Sequence, residues 1–297
     1  MSRRGWVLFA LMGVVWGIPY LLIKISVREI SAPMLVEMRT GGAALVLLPI
    51  AIARGQLRPV LRRLPAVAAF ATVEICLPWL FLFNAERRLS SSLAGLLVAA
   101  VPLLGALLGR LSGADRLDRR RLFGVFLGLV GVGALVGFDV GSSDAWAAAS
   151  MIVVVIGYAF GPWIASHYLA ELPGLGVTTA ALALCAILYA PVAATELPRR
   201  SLSASVALSV VGLALICTAL AFVAFFALIA EVGPVRATVI TYVNPAVAVI
   251  LGVAVLNEPF GPGTVVGFVL IVAGCYLSAG RSDRASAEPE MAVGAPL

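Results

Sequence analysis

Residues 102–109 read PLLGALLG and residues 245–252 read PAVAVILG, so a proline and a glycine recur with equal spacing in two apolar stretches. The stretches lie 143 residues apart, and this offset aligns residues 91–137 with residues 234–280 without a gap. Self-similarity at a fixed offset is the signature of an internal repeat. The pattern therefore predicts a chain built from two related halves.

The same offset relates further residues outside these two stretches. The matched pairs are Pro19 with Pro162, Tyr20 with Trp163, Lys24 with His167, Asp115 with Glu258, Gly124 with Gly267 and Gly131 with Gly274. If each half crosses the membrane five times, the second half enters from the opposite side. We therefore expect an inverted-topology repeat, an architecture that recurs in secondary transporters.

The composition is that of a membrane protein. Of 297 residues, 62% are hydrophobic and 12% are charged, and the mean hydropathy is +1.07. This sequence has too few polar residues to cover the surface of a soluble domain of its size. A soluble enzyme, a nucleic-acid binder and a disordered protein are therefore excluded. We expect an all-α membrane protein with ten transmembrane helices. The ten apolar segments are 6–24, 33–53, 65–84, 91–110, 122–138, 145–165, 175–195, 205–229, 235–256 and 263–280.

The expected organisation is a first five-helix repeat in residues 1–138, a second in residues 145–280 and a disordered cytoplasmic tail in residues 281–297. Placing the N-terminus inside puts fourteen of the 21 lysines and arginines in cytoplasmic segments. This bias predicts a multi-pass protein of the cytoplasmic membrane with both termini inside. We interpret the first apolar segment as an uncleaved span and not as a signal peptide.

Catalytic and cofactor motifs are missing from the sequence. It has one histidine, four cysteines without a CxxC spacing, and no P-loop, HExxH or GxSxG motif. We therefore expect no enzyme activity, no cofactor and no metal, and the cysteines are interpreted as buried free thiols. The expected partners are a small-molecule substrate and the lipid bilayer, without nucleic acid, in a monomer or homodimer.

Three of the ionisable residues within predicted spans, where insertion is costly, are candidate functional charges. Glu74 is near the middle of the third span and is the most expensive of them. It either lines a cavity, where it binds a cationic group or a coupling proton, or it forms a structural ion pair or hydrogen bond, for which Arg39 is a candidate partner. Glu37 and Arg39, near the start of the second span, are interpreted as gating or structural charges. Because they are two residues apart, they point to different sides of the helix.

Aromatic residues are the second class of candidate substrate contacts. Trp16 and Tyr20 share one face of the first span, and Tyr158 and Trp163 lie in the corresponding sixth span. Trp79 follows Glu74 in the third span. Their rings suit a cavity for amphipathic molecules or cations, and the alternative roles are helix packing and an interfacial aromatic belt.

Tyr242 and Asn244 precede Pro245 in the ninth span, where a proline frees backbone carbonyls. Asn244 binds either the substrate or this opened backbone. A GxxxG pattern at residues 124–128 allows close helix contact, either inside one chain or in a dimer.

The order of these motifs resembles an EamA-type member of the drug/metabolite transporter superfamily, across residues 6–280. The residues that carry the resemblance are Trp16-Gly17, Pro33…Arg39…Ala43-Ala44, Asn244-Pro245…Leu256-Asn257-Glu258-Pro259…Gly267…Gly274, and the echo Pro102…Asp115…Gly124…Gly131. The resemblance implies a ten-helix fold, a central substrate cavity and alternating access. Asp115 and Glu258 are expected to be structural, as caps near the start of the helix that follows each of them.

Together these features predict a secondary-active transporter of small metabolites or amino acids, working as an exporter. Multidrug efflux is the alternative within the same class. An intramembrane lipid-handling enzyme is the alternative from another class, and it would need several His, Asp or Glu residues at one depth.

Overall fold

The computed structural model describes residues 2–111, 118–139, 145–198, 200–232, 237, 240–241, 243–259 and 261–278. Within these ranges every regular element is helical, and no strand occurs. The expected all-α class is thus confirmed for the described part of the chain.

The described helices of residues 1–139 are α1 (Arg3–Val15), α2 (Pro19–Ser26), α3 (Ala32–Ala53), α4 (Leu57–Leu61), α5 (Leu64–Phe70), the π-helical segment π1 (Ala71–Cys76), α6 (Leu77–Glu86), α7 (Ser91–Val98), α8 (Val101–Leu111) and α9 (Arg119–Asp139). Those that follow are α10 (Ala145–Tyr168), α11 (Gly174–Thr195), α12 (Ala204–Val211), the π-helical segment π2 (Gly212–Leu220), α13 (Ala221–Val232), α14 (Asn244–Leu256) and α15 (Pro262–Ser278).

Among the described residues, seven helical stretches are long and apolar enough to cross a membrane. They are Arg3–Ser26, Ala32–Ala53, Leu64–Glu86, Ser91–Leu108, Ala145–Tyr168, Gly174–Thr195 and Ala204–Val232. Each coincides with a predicted span, so the protein is a multi-pass membrane protein. The predicted ninth span begins at residue 235, whereas α14 begins at Asn244 and is shorter.

Serine residues set the starts of several helices. Ser31 accepts a hydrogen bond from the Met34 amide (3.4 Å), and Ser90 accepts one from the Leu93 amide (3.1 Å). These side chains satisfy amide groups that have no partner within the first helical turn. In the same way, Ser203 accepts from Val206 at the start of α12.

The first span is broken between α1 and α2, and the break allows close packing. The α-helical turns stop at Val15 and restart at Pro19, whose ring suits the first turn of a helix. A side chain at Gly17 would collide with Val247 of α14. Glycine therefore allows this break to lie directly against α14.

Two spans contain π-helical segments, and these are separated by the same offset as the sequence repeat. Moving π1 by 143 residues gives residues 214–219, which fall inside π2. Segment π1 carries Glu74, and π2 carries Thr218. Segments of this type occur frequently at functional sites, because each interrupts the regular α-helical register.

Helix packing also relates the two halves. The most extensive contacts pair α9 with α15, α3 with α11, α6 with α10, and α7 with α14. The α6–α10 pair has a counterpart, at the offset of 143 residues, in the α13–α1 pair. Each of these pairs joins residues before 140 to residues after 144, so the two halves interlock.

The hydrogen bonds between loops define two ends of the bundle. At one, the Glu86 end, Lys24 contacts the main chain of Glu86, and the Ser203 amide donates to Glu29 (2.9 Å). At the other, the Arg54 end, α3 finishes and Ser2 donates to Glu231.

Candidate functional site

Arg39 is the centre of the candidate site. It lies on α3 with 6% of its surface exposed, and its guanidinium carbon is 3.7 Å from the centroid of the Trp79 ring. Its Nε donates to the Thr218 hydroxyl at 3.0 Å. The Thr218 hydroxyl in turn donates to the Leu213 carbonyl (2.8 Å) within π2. A desolvated cation on a tryptophan face gains about 2 kcal/mol or more, which compensates in part for burial.

Two tyrosines complete the surroundings of this cation. Tyr20 of α2 is 8% exposed, Tyr158 of α10 is partly buried, and both interact electrostatically with Arg39. Tyr158 also interacts with the side chain of Trp79. We call Tyr20, Arg39, Trp79 and Tyr158 the central cluster. Sequence analysis named all four residues, and the structure brings them together from four helices.

Glu74 lies on π1 against α10, next to this cluster. Its side chain packs on Gly161, and it interacts electrostatically with Tyr158. Its Oε2 is removed from solvent and has no hydrogen-bond partner among the described residues. Gly157, one turn before Gly161, packs on Pro78. This GxxxG pair, which sequence analysis did not single out, allows α10 to approach the carboxyl.

Glu74 and Arg39 do not form the ion pair that was one of the two sequence interpretations. Within the described chain, no carboxylate oxygen lies within 4.0 Å of an Arg39 nitrogen. The Glu37 carboxyl lies over Gly41 of its own helix, where Ala186 of α11 also approaches. Arg39 is therefore balanced by aromatic rings and a hydroxyl at contact distance.

Trp16 and Asn244 belong to the packing between α1, α13 and α14. Trp16 contacts Phe225 (ring centroids 4.6 Å apart) and Phe222 (5.8 Å). With its amide nitrogen turned toward the two carbonyls, Asn244 donates to Gly13 and Ile240 at 3.0 Å each. Asn244 thus binds two main-chain carbonyls, one in α1 and one just before α14.

Trp163 lies apart from the central cluster. It packs on His167 (4.4 Å between ring centroids) and near Phe160 and Tyr168, all on a face with substantial exposure. Tyr242 falls outside the described residues.

Glu86 is a buried carboxyl that sequence analysis missed. Its side chain is 0% exposed, and neither carboxyl oxygen has a hydrogen-bond partner in the described ranges. The nearby ammonium of Lys24 donates instead to the main-chain carbonyls of Glu86 and Leu89, at 2.6 Å each. The predicted span ended at residue 84, whereas the helix continues through Glu86 and buries it.

Glu258 caps a helix, but a different one from the helix expected. Its carboxylate accepts hydrogen bonds from the Ser91 amide (2.7 Å), the Ser92 amide (2.9 Å) and the Ser92 hydroxyl (2.6 Å). It therefore caps α7 of the first half and not the helix that follows it. Burial raises the pKa of Glu258, but the hydrogen bonds from Ser92 and Ser91 outweigh it and leave the pKa below its usual value. Asp115, its partner in the repeat, lies outside the described residues.

Two cavities open at the ends of the bundle. The one near the Glu86 end has about 340 Å³ and is lined by Leu80, Phe81, Asn84, Arg87, Arg88, Trp146 and Ser150. The one at the Arg54 end has about 400 Å³ and is lined by Arg54, Gln56, Pro173, Gly174, Leu175, Val223, Phe226 and Ala227. Neither is lined by the central cluster, so the cluster is closed toward both.

The EamA-like transporter family matches residues 3–137 and again residues 145–280. The chain belongs to this family. The resemblance deduced from the sequence motifs is therefore confirmed, and the two matched regions nearly coincide with the expected repeats.

Relatives from three organisms align with almost the whole chain. The chain is 31% identical to the uncharacterized inner membrane transporter YedA of Escherichia coli, over 91% of this chain and 90% of that protein. It is 25% identical to the uncharacterized transporter YdfC of Bacillus subtilis (93% and 92%) and 23% identical to an uncharacterized transporter of Archaeoglobus fulgidus (92% and 98%). The relatives are transporters, and the chain is a membrane transporter.

A crystal structure of a protein with 23% sequence identity shares the fold. The TM-score is 0.67, and the match covers 93% of this chain and 97% of the other. Within the described residues, no group of three or more His, Cys, Asp or Glu side chains could hold a metal ion.

Proposed function

We propose that this protein is a secondary-active exporter of small metabolites, with amino acids as the favoured class, and that it works by alternating access. The observation that carries the proposal is the buried Arg39 on the face of Trp79, enclosed by tyrosines from spans of both halves. A cation without a contacting carboxylate can accept an anionic group from a ligand. The cluster lies between two end cavities, so an opening toward either cavity would expose it to one side.

The repeat relationship supports alternating access. The two π-helical segments share the repeat offset, and the α6–α10 contact has its counterpart in α13–α1. We propose ten spans in two inverted repeats of five. Alternate opening would then follow from exchanging the conformations of the two halves.

We further propose that the Arg54 end faces the cytoplasm, together with both termini. Arg58, Arg62 and Arg63 follow Arg54 at this end, and Arg3 and Arg4 begin the first span there. Excess positive charge on the cytoplasmic side supports this orientation.

Amino acids suit the cluster because they carry both charges. Arg39 would hold the substrate carboxylate, and the unpartnered oxygen of Glu74 would accept from its ammonium group. Tyr158 lies within electrostatic reach of both residues. The faces of Trp79 and the two tyrosines would contact an apolar side chain.

The test compares metabolites retained and released by cells that lack the gene or express the wild-type protein, Glu74→Gln or Trp163→Phe. We expect the wild type to raise release of a limited set of amino acids or related metabolites. Glu74→Gln should abolish this release or uncouple it from its driving gradient, with normal membrane insertion. Trp163→Phe is the control, since Trp163 lies on the exposed face. Equal release by wild type and Glu74→Gln would remove Glu74 from the site.

Multidrug efflux is the second candidate, favoured by the aromatic group around Trp16, Phe222 and Phe225. It predicts that expression raises tolerance to several unrelated lipophilic cations, and that Trp16→Ala lowers this tolerance. An exporter of amino acids should leave this tolerance unchanged.

A further inference from the structure

Glu86 stands out among the buried groups because the proposed substrate contacts do not use it. It is the last residue of α6 and lies twelve positions after Glu74 in the same span. A rise of about 1.5 Å per residue separates the two carboxyls by roughly 18 Å along the span. Glu86 therefore lies apart from Glu74 and nearer the end of the bundle, although it remains within electrostatic reach of Arg39.

The surroundings of Glu86 give its carboxyl no hydrogen bond. Both oxygens are buried, and neither has a donor within the described ranges. The Lys24 ammonium, which could have formed an ion pair, is bound to two main-chain carbonyls instead. A buried carboxylate without a donor costs far more than a neutral carboxylic acid at the same place.

The charged groups near Glu86 belong to three elements. They are Lys24 of α2, Arg39 of α3 and Glu258 in the loop after α14. Tyr20 of α2 and Tyr158 of α10 are also within electrostatic reach of Glu86. The carboxyl can therefore gain a proton in this closed arrangement, and lose it when Lys24 or water approaches its oxygens.

We infer that Glu86 is a proton-binding site of the transport cycle, distinct from Glu74, and that protonation accompanies the closed arrangement seen here. This inference rests on the proposed transport function. The ligand is a proton, and its acceptor is a carboxyl oxygen of Glu86. Lys24 is the positioning residue, since moving its ammonium from the two carbonyls to the carboxylate would stabilise the deprotonated state.

The experiment reads protonation directly and needs no transported substrate. Full-length wild type, Glu86→Gln and Glu171→Gln are reconstituted in lipid vesicles, and infrared difference spectra are recorded between alkaline and acidic pH. We expect the wild type to gain a carboxylic-acid C=O band on acidification. Glu86→Gln should lose this band, and Glu171→Gln, changed at an exposed residue, should keep it. A wild-type band retained in full by Glu86→Gln would overturn the inference.

A second variant keeps the test decisive if Glu86→Gln does not fold. Glu86→Asp retains a carboxyl with one methylene fewer, so the inference predicts that the band shifts in frequency and remains titratable. An unshifted band in this variant would also overturn it.

The outcomes separate this inference from the proposed function. If expression changes no metabolite release but the Glu86 band titrates as expected, the transport proposal fails while proton binding stands. If release occurs in the wild type but the band is insensitive to Glu86 substitution, transport stands and the proton site is lost.

Discussion

The planar guanidinium of Arg39 lies against the Trp79 ring at 3.7 Å, and this contact joins α3 to α6 at the centre of the bundle. A charged group is therefore held in the bundle interior by the face of an aromatic ring and a single hydroxyl. The first prediction follows from this contact.

Replacing Trp79 with leucine should lower stability by about 2 kcal/mol, because the buried cation loses its aromatic face. Trp79→Phe, which keeps a ring, should fall between the wild type and leucine. Thermal unfolding in detergent measures the order, with Trp163→Leu as the control on the exposed face. Equal unfolding temperatures for Trp79→Leu and the wild type would show that the stacking contributes nothing.

Gly161→Ala should damage function more than stability. A methyl group at this position would overlap the Glu74 carboxyl and displace it from α10. Gly133→Ala is a matched control, because a methyl group there meets nothing within 4 Å. It should be neutral or stabilise the helix by up to about 1 kcal/mol. Metabolite release and thermal unfolding are measured on both variants, and full release by Gly161→Ala would contradict the role of Glu74.

Glu258→Gln should destabilise the protein by about 2 kcal/mol, since an amide cannot replace a carboxylate that accepts three hydrogen bonds at the start of a helix. Ser92→Ala should cost less, because the two main-chain donors remain. Thermal unfolding of both variants measures these losses against Glu171→Gln.

The same carboxylate predicts a pH dependence. The pKa of Glu258 is lowered in the folded protein, so its contribution is complete above the pKa of an unfolded glutamate, about 4.3. The contribution is lost as the pH falls through the lower pKa of the folded state. The difference in stability between wild type and Glu258→Gln should therefore shrink on acidification below about pH 4. A difference that grows in acid would contradict this assignment.

Asn244→Asp should be more harmful than Asn244→Ala. The asparagine amide donates to the carbonyls of Gly13 and Ile240, whereas an aspartate would present an acceptor to two acceptors. Alanine should cost about 1 kcal/mol for each lost bond. Thermal unfolding ranks the two variants, and equal losses would show that the two carbonyls find other donors.

Much of the central cluster could be predicted from the sequence, because its residues are costly or unusual at their depth. Arg39 and Glu74 attract attention as charges within apolar segments, and Trp79 follows Glu74 closely. Tyr158 could be related to the first span through the repeat. In each case, the type of the residue and its depth in the predicted span are enough to mark it as a candidate site residue.

The remaining features depend on which side of its helix each residue faces, and the hydropathy of a segment does not give this direction. Trp163 aligns with Tyr20, yet Tyr20 is buried and Trp163 is more exposed. The first span breaks before Pro19, whereas α10 continues through Pro162 without interruption, so the residues that follow face differently. Glu86 was missed because a short error in the predicted span end removed it from the apolar segment.

Segment π1 also connects the two carboxyls of its span. A π-helical segment contains one residue more than regular α-helix accommodates, so its conversion to α-helix would turn α6 by about 100°. Glu74, within π1, would keep its position, whereas the rotation of α6 would move Glu86 away from Lys24. A local change from π-helix to α-helix near Glu74 would thereby couple a change at the central cluster to the position of Glu86 near the end of the bundle.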